Sequence, residues 1–278
     1  MTAGDRSGGQ RWIAALPMYD FPHLRGAHDL LWSAVADRLV SYGLTRVPLG
    51  LSRSHTHRDL HNESSLLLGQ VCEYPLALSA TSTVRAIGTP RYAVPGCSGS
   101  SYSSVVVVRQ DDPAERLADL RGRSCVVNEV DSNSGMNLLR AAIAPLSGGA
   151  RFFEAVMFSG SHRNSVVSVA RGVADVAAVD CVTFAHLRSV CPDDVGKVRV
   201  LGFTPSSPSL PLVSSAANDR QTLEAVRRAL SEALEDPAVA SARQRLFLES
   251  IDFDPDPGFS AVRRLERQSA TAGYPVLC

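Results

Sequence analysis

At 278 residues with 45% hydrophobic content, the chain is long enough to bury a sizeable core, as one large domain or as two lobes. Basic and acidic side chains balance at 28 each, so no overall field draws it to nucleic acid or to an anionic membrane, and any charge recognition has to be local. No stretch reaches the roughly 18 continuous apolar residues of a spanning helix, and the polar, Gly/Ser-rich segment Met1 to Gln10 has no apolar export core, so the chain as written reads as a soluble protein without an export signal.

Trp12 to Leu16 predicts a short strand stopped by Pro17. Leu24 to Tyr42 has Leu24, Ala27, Leu30, Leu31, Ala34, Val35 and Leu39 at helical spacing and predicts a helix ended by Gly43. His55 to Asn62 reads as a polar connection, Ser65 to Cys72 as a buried strand and Thr83 to Gly88 as another, with Pro75, Pro90 and Pro95 marking loops. Four consecutive valines make Tyr102 to Arg109 a strand. A short helix at Pro113 to Leu120, a strand at Ser124 to Asn128 and a helix at Leu138 to Ala144 follow. Next come a strand at Phe152 to Phe158, a helix at Arg163 to Arg171, a strand at Val173 to Val179 and a helix at Phe184 to Val190. This alternation predicts a mostly parallel sheet covered by helices. The Pro/Ser-rich Thr204 to Pro211 reads as a crossing between lobes. It leads into a strand at Leu212 to Ser214, an amphipathic helix at Asn218 to Glu235, and helical stretches at Pro237 to Leu246 and Phe259 to Ala272 that are expected to pack back on the first lobe.

None of the six cysteines sits in a Cys-x-x-Cys pair, which argues against a disulfide scaffold or a zinc ribbon. Cys125 reads as a small buried hydrophobe. Cys72 and Cys97, both at strand ends, make a conceivable bridge; in an oxidising compartment its roughly 25-residue loop would stabilise the fold by about 3 kcal/mol. His55, His57 and His61 are spaced to suit a metal, but no helix signal or partner cysteine supports a site, and a solvated loop is the simpler reading; no metal and no cofactor is expected. Ser98, in Pro-Gly-Cys-Ser-Gly, misses the nucleophile elbow by one position, and neither a Walker loop nor Gly-x-Gly-x-x-Gly occurs.

The chemistry concentrates at three strand-to-helix junctions. At the first, Ser132, Asn133 and Ser134 add side-chain donors to the free backbone N–H groups of a helix start, and Gly135 would let a ligand approach the backbone. At the second, Ser161 and His162 supply a hydroxyl and an imidazole; at the third, Asp180 supplies an acceptor that would select a protonated oxygen or an amine. Ligands of open parallel sheets lie beyond the carboxyl ends of the strands, where these junctions would meet. Each junction taken singly is equally well explained as a helix cap, whereas three in succession favour a shared site. Tyr102 would present its hydroxyl to the same cleft or pack at an edge.

In the order Tyr102-x-Ser104, Ser132-Asn-Ser-Gly135, Gly160-Ser-His162 and Ala174-Asp-Val-Ala-Ala-Val-Asp180, the chain resembles the substrate-binding components of phosphate, phosphite and phosphonate ABC transporters, over about Trp12 to Tyr274. The resemblance implies an α/β fold of the two-lobed type 2 periplasmic-binding-protein kind, each lobe a mostly parallel sheet flanked by helices, with a ligand cleft between lobes. Residues 11–104 and 209–278 would form lobe 1, and residues 105–208 an inserted lobe 2 carrying the anion-binding turns. It also implies that Ser132, Asn133 and Ser134 stand where the family's Ser-Thr-Ser turn grips the phosphonate oxygens, that His162 and Tyr102 contact the same group, and that Asp180 faces the ligand's far end.

The function expected is therefore a monomeric, non-enzymatic solute-binding protein that captures a small oxyanion for a membrane permease. The family implies a periplasmic or extracytoplasmic location; the N-terminal composition leaves the cytoplasm as the alternative. A rival from another class is a cytoplasmic enzyme or ligand sensor on the same scaffold, with His162 and Asp180 as an acid–base pair on a small molecule such as a thiamine-pathway pyrimidine.

Overall fold

The computed structural model describes residues 12–79, 82–253 and 258–278; Met1 to Gln10 lies outside the described residues. In chain order the elements are β1 (Ile13–Ala15), α1 (Arg25–Ser41), α2 (His57–Leu60), β2 (Leu66–Gln70), α3 (Glu73–Leu78), β3 (Val84–Tyr92), β4 (Cys97–Ser98), β5 (Ser101–Tyr102) and β6 (Ser104–Arg109). There follow β7 (Ser124–Val127), α4 (Leu138–Ser147), β8 (Ala155–Phe158), α5 (His162–Ala170), β9 (Val176–Asp180), α6 (Cys181–Val190), α7 (Pro192–Val195) and β10 (Val198–Phe203). The chain closes with β11 (Ser207–Pro208), β12 (Leu212–Ser215), α8 (Arg220–Glu235), α9 (Ala240–Arg245), β13 (Leu248–Asp252) and α10 (Phe259–Thr271). Among the described residues no helix is long and apolar enough to cross a membrane.

The chain divides into two compact units. The first comprises Met1–Val71, Ser82–Ile87 and Leu212–Leu246; the second comprises Cys72–Thr81, Gly88–Pro211 and Phe247–Cys278. In the first unit β1 pairs parallel with β2, β12 pairs antiparallel with β2, and the start of β3 adds to the sheet beside β12. Helix α1 buries Ala27, Leu31, Trp32, Val35 and Leu39, and α8 buries Leu223, Val226, Ala229, Leu230 and Ala233; both follow the i, i+3, i+4 spacing, and the two helices pack on one another. Asp219 caps α8 by accepting from the Thr222 N–H at 2.7 Å. The loop expected at His55 to Asn62 contains α2, capped by Thr56, whose hydroxyl accepts from the Asp59 N–H while the Asp59 carboxylate accepts from the Thr56 N–H.

The second unit is built on a sheet in the order β10-β6-β9-β7-β8. Strands β7, β8 and β9 run parallel, and β6 runs against both its neighbours, β9 and β10, so the sheet is mixed at that one strand. Both faces are covered, which is why Val105 to Val108 reads as a continuous apolar run and not as an alternation. On one face Val106, Val108, Cys125, Val127, Val176 and Ala178 pack with Leu139 and Ile143 of α4 and with Phe152 and Phe153. Helix α5 covers the other, with Val166 and Val169 buried. Small strands β4, β5 and β11 form a separate antiparallel sheet with Tyr102 opposite both Cys97 and Ser207.

Of the two tail helices expected on the first lobe, α9 packs on α1 within the first unit, and α10 corrects the expectation. Helix α10 packs against α3 and α4, Tyr274 and Leu277 enter the core around Phe152, and the Cys278 carbonyl accepts from the Phe152 and Phe153 N–H groups at 2.8 and 2.9 Å. All of these residues belong to the second unit. Pro90 does not end a strand: it lies inside β3, where pairing with β13 continues through Thr89 and Arg91 on either side of the missing N–H. Pro75 lies inside the first turn of α3, where a helix has no intrahelical use for the N–H.

Candidate ligand-binding site

Because β7, β8 and β9 are parallel, their carboxyl ends Val127, Phe158 and Asp180 finish at one edge of the sheet, and the three polar junctions leave from that edge. Each junction is a helix cap. The Ser132 hydroxyl accepts from the Gly135 N–H at 3.0 Å, the Ser161 hydroxyl from the Asn164 N–H at 3.1 Å, and the Asp180 carboxylate from the Thr183 N–H at 2.7 Å. The first helix start is unusual: Asn133–Asn137 is a π turn in which the Asn137 N–H reaches back to the Ser132 carbonyl at 3.0 Å, a wider loop than an α-turn.

The caps are also tied to one another. Ser134 Oγ and His162 Nε2 lie 2.8 Å apart, joining the first junction to the second. Ser104, opposite Asp180 in the β6–β9 register, donates its hydroxyl to the Ser134 carbonyl at 2.8 Å and so brings the third junction alongside. Burial holds the His162 imidazole neutral, with its pKa pushed down to about 4. A neutral imidazole and a serine hydroxyl carry one hydrogen each, and their mutual bond uses one of the two. With the proton on Nε2, the imidazole donates to Ser134 Oγ and the serine hydroxyl hydrogen stays free for a further acceptor; with the proton on Nδ1, the hydroxyl donates to Nε2 and the remaining hydrogen sits on the buried Nδ1 across the ring. Ser132 Oγ, 3.5 Å from Ser134 Oγ, lies alongside.

Tyr102 and Asn133 are committed differently. Tyr102 is 1% exposed and Asn133 0%, and both donate to Oε1 of Glu73, which is itself 0% exposed. Asn133 Nδ2 also reaches Tyr102 Oη at 3.2 Å and Ser207 Oγ at 2.9 Å, and its Oδ1 accepts from Asn137 at 2.8 Å. Asn137 in turn accepts from the buried Arg140 at 2.7 Å. The second carboxyl oxygen of Glu73 has no hydrogen-bond partner among the described residues. Burial pushes the Glu73 carboxyl up to about 8, against the pull of Tyr102 and Asn133; the charge of Asp180 pushes the same way as burial. Glu73 was not among the residues expected here. Its signal in the sequence is slight: one acidic residue directly after a buried strand, in Gln70-Val-Cys-Glu73.

Two expectations change. The open face of Gly135 belongs to Asn128 and not to a ligand, since a Cβ there would fall 1.7 Å from Asn128 Oδ1. The Cys72–Cys97 bridge is absent: both thiols are free, and the Cys97 sulfur lies 3.5 Å from that of Cys181 instead. The acid–base pair required by the enzyme alternative is also divided, His162 Nε2 being bonded to Ser134 and Asp180 Oδ1 to the Thr183 N–H.

A family model described as "ABC transporter, phosphonate, periplasmic substrate-binding protein" matches residues 76–263. A Pseudomonas aeruginosa binding protein component of an ABC phosphonate transporter superposes with a TM-score of 0.73 at 13% identity, over 95% of this chain and 88% of that one. A PhnD1 protein from Prochlorococcus marinus, solved with methylphosphonate, gives 0.72 at 12% identity over 92% and 97%. A Xanthomonas citri protein solved with ATP gives 0.67 at 19% identity over 95% and 97%. At these identities the likeness is one of fold.

Proposed function

From the premise that the chain belongs to the periplasmic substrate-binding proteins of phosphonate ABC transporters, we propose that Ser132, Ser134 and His162 hold the oxygen atoms of a small oxyanion, a phosphonate, phosphite or phosphate, destined for a membrane permease. The observation that supports this most is the Ser134–His162 bond, which, with the imidazole proton on Nε2, leaves the Ser134 hydroxyl hydrogen uncommitted beside the Ser132 hydroxyl at a sheet edge where three helices begin. A tetrahedral anion suits such a place, because its oxygens each accept from a separate donor and the helix starts favour negative charge.

Tyr102 and Asn133 act here as the frame that fixes the donor turn, with Glu73 as their common acceptor. Ser161 and Asp180 flank the donors, and Asp180 favours a ligand that brings a proton or an amine. The protein works as a monomer in the periplasm and breaks no bond. Family membership does not favour the rival reading of a cytoplasmic enzyme or sensor.

A ligand that binds the folded state raises the melting temperature by mass action, about 2.7 kcal/mol of added stability at a concentration one hundred times its Kd. Methylphosphonate, phosphite and phosphate are compared with a thiamine-pathway pyrimidine in a thermal-shift series. The expected outcome is a rise with at least one phosphorus oxyanion and none with the pyrimidine. A rise with the pyrimidine alone contradicts the proposal.

A further inference from the structure

We propose that Cys97 and Cys181 form a disulfide when the protein meets an oxidising compartment, fastening β4 to the first turn of α6 beside the third polar junction. Their sulfur atoms lie 3.5 Å apart although 84 positions separate them in the chain, and no bond joins them in the structure. The approach is built into the backbone. Gly96, with φ of +100°, sits so close that a Cβ on it would fall 2.9 Å from the Cys181 Cβ, and only glycine lets the Cys97 segment come this near. Closure has only to bring the sulfur atoms from 3.5 Å to the roughly 2.05 Å of a disulfide.

The two thiols differ in access. Cys97 is partly exposed, whereas Cys181 is 2% exposed. The Cys181 thiol is held well above its ordinary range, first by its hydrogen bond with Cys97 and then by burial. Cys97 is therefore the entry point for a small disulfide oxidant such as glutathione disulfide. The Cys97 thiolate attacks one sulfur of that oxidant and expels one glutathione thiolate, which takes up a proton. Cys181 then gives its proton to solvent and displaces the second glutathione from the Cys97 sulfur. Two protein thiols become one disulfide, and one glutathione disulfide becomes two glutathione thiols.

The cross-link would bear on the ligand site without touching the ligand. Cys97 lies opposite Tyr102 in the β4–β5 register, and Cys181 directly follows Asp180. Closing the pair ties the frame around Glu73 to the end of β9.

The full chain is equilibrated in glutathione disulfide, denatured in the presence of an alkylating agent, and weighed intact before and after reduction. The proposal expects two of the six cysteines to escape alkylation until reduced, and peptide mapping to join Cys97 to Cys181. In Cys97→Ser every remaining cysteine is expected to be alkylated without reduction. Alkylation of all six cysteines in the oxidised parent, or a bridge between any other pair, overturns the proposal. Neither result depends on whether the protein binds an oxyanion.

Discussion

Glu73 has no exposed surface, yet its carboxyl takes two hydrogen bonds and keeps one oxygen bare, so its protonation is coupled to folding. Its carboxyl lies at about 8 in the folded protein against 4.5 as the ordinary value. The folded chain thus retains a proton that the unfolded chain releases, and the stability attached to it is complete below the unfolded value and lost as pH rises toward the folded one. His28 and His162, both pushed down to about 4 by burial, work the other way: their contribution is complete above 6.5 and lost as pH falls toward 4. At pH 6.5 the unfolded histidines are still half protonated, and the pair falls silent only about a unit higher. Between about pH 7 and 8 the parent is expected to lose stability as pH rises, with a slope below the roughly 1.4 kcal/mol per pH unit of one full proton, and Glu73→Gln to lack this loss in denaturant titrations. Parallel slopes would show that Glu73 is ionised throughout. Ser132, His162 and Asp180 were visible in the sequence because caps and anion donors use the same residue types. Tyr102 and Asn133 were visible too, but as ligand contacts. What redirected them was one carboxylate arriving from a helix start some sixty positions away, which no local pattern encodes.

Elements with a strong internal period or a short apolar run, such as β1, β2, β7 and β9, were legible, and several others were not. Helices α1 and α8 display their buried stripes in the sequence, and β6 its valines. Strand β13 reads Leu-Glu-Ser-Ile-Asp, and its identity as a strand comes from backbone pairing with β3. Strand β10, half-buried at the edge beside β6, has the same dependence, and α3 is masked by Pro75. The caps show the converse: each was legible as a cap, and whether it is also a donor was not. Asp219 separates the two roles, since it caps α8 far along the chain from any candidate donor. Asp219→Ala is expected to cost about 1 kcal/mol in a urea titration, with the slope of the transition preserved. An unchanged midpoint would mean that water replaces the cap at no loss.

For the molecule as a whole, each compact unit is assembled from separated stretches of chain; the family resemblance implies this for lobe 1 alone and makes lobe 2 one continuous insertion, whereas the second unit joins three stretches. The expectation for α10 fails for a physical reason. An amphipathic helix advertises that it has a buried face, but the face says nothing of which sheet will cover it; Tyr274, Leu277 and the Cys278 carbonyl settle that for α10. Charge balance also has a consequence at this scale. With no net field to gather anions, affinity for an oxyanion rests on local donors, which the proposed site places at the β7, β8 and β9 ends. Isothermal titration of methylphosphonate into the parent, Ser132→Ala and His162→Ala tests that dependence most directly. Each substitution is expected to weaken binding by about 1 to 3 kcal/mol, roughly fivefold to over a hundredfold, while the fold persists. Equal affinity in all three proteins would contradict the assignment of these side chains to the ligand.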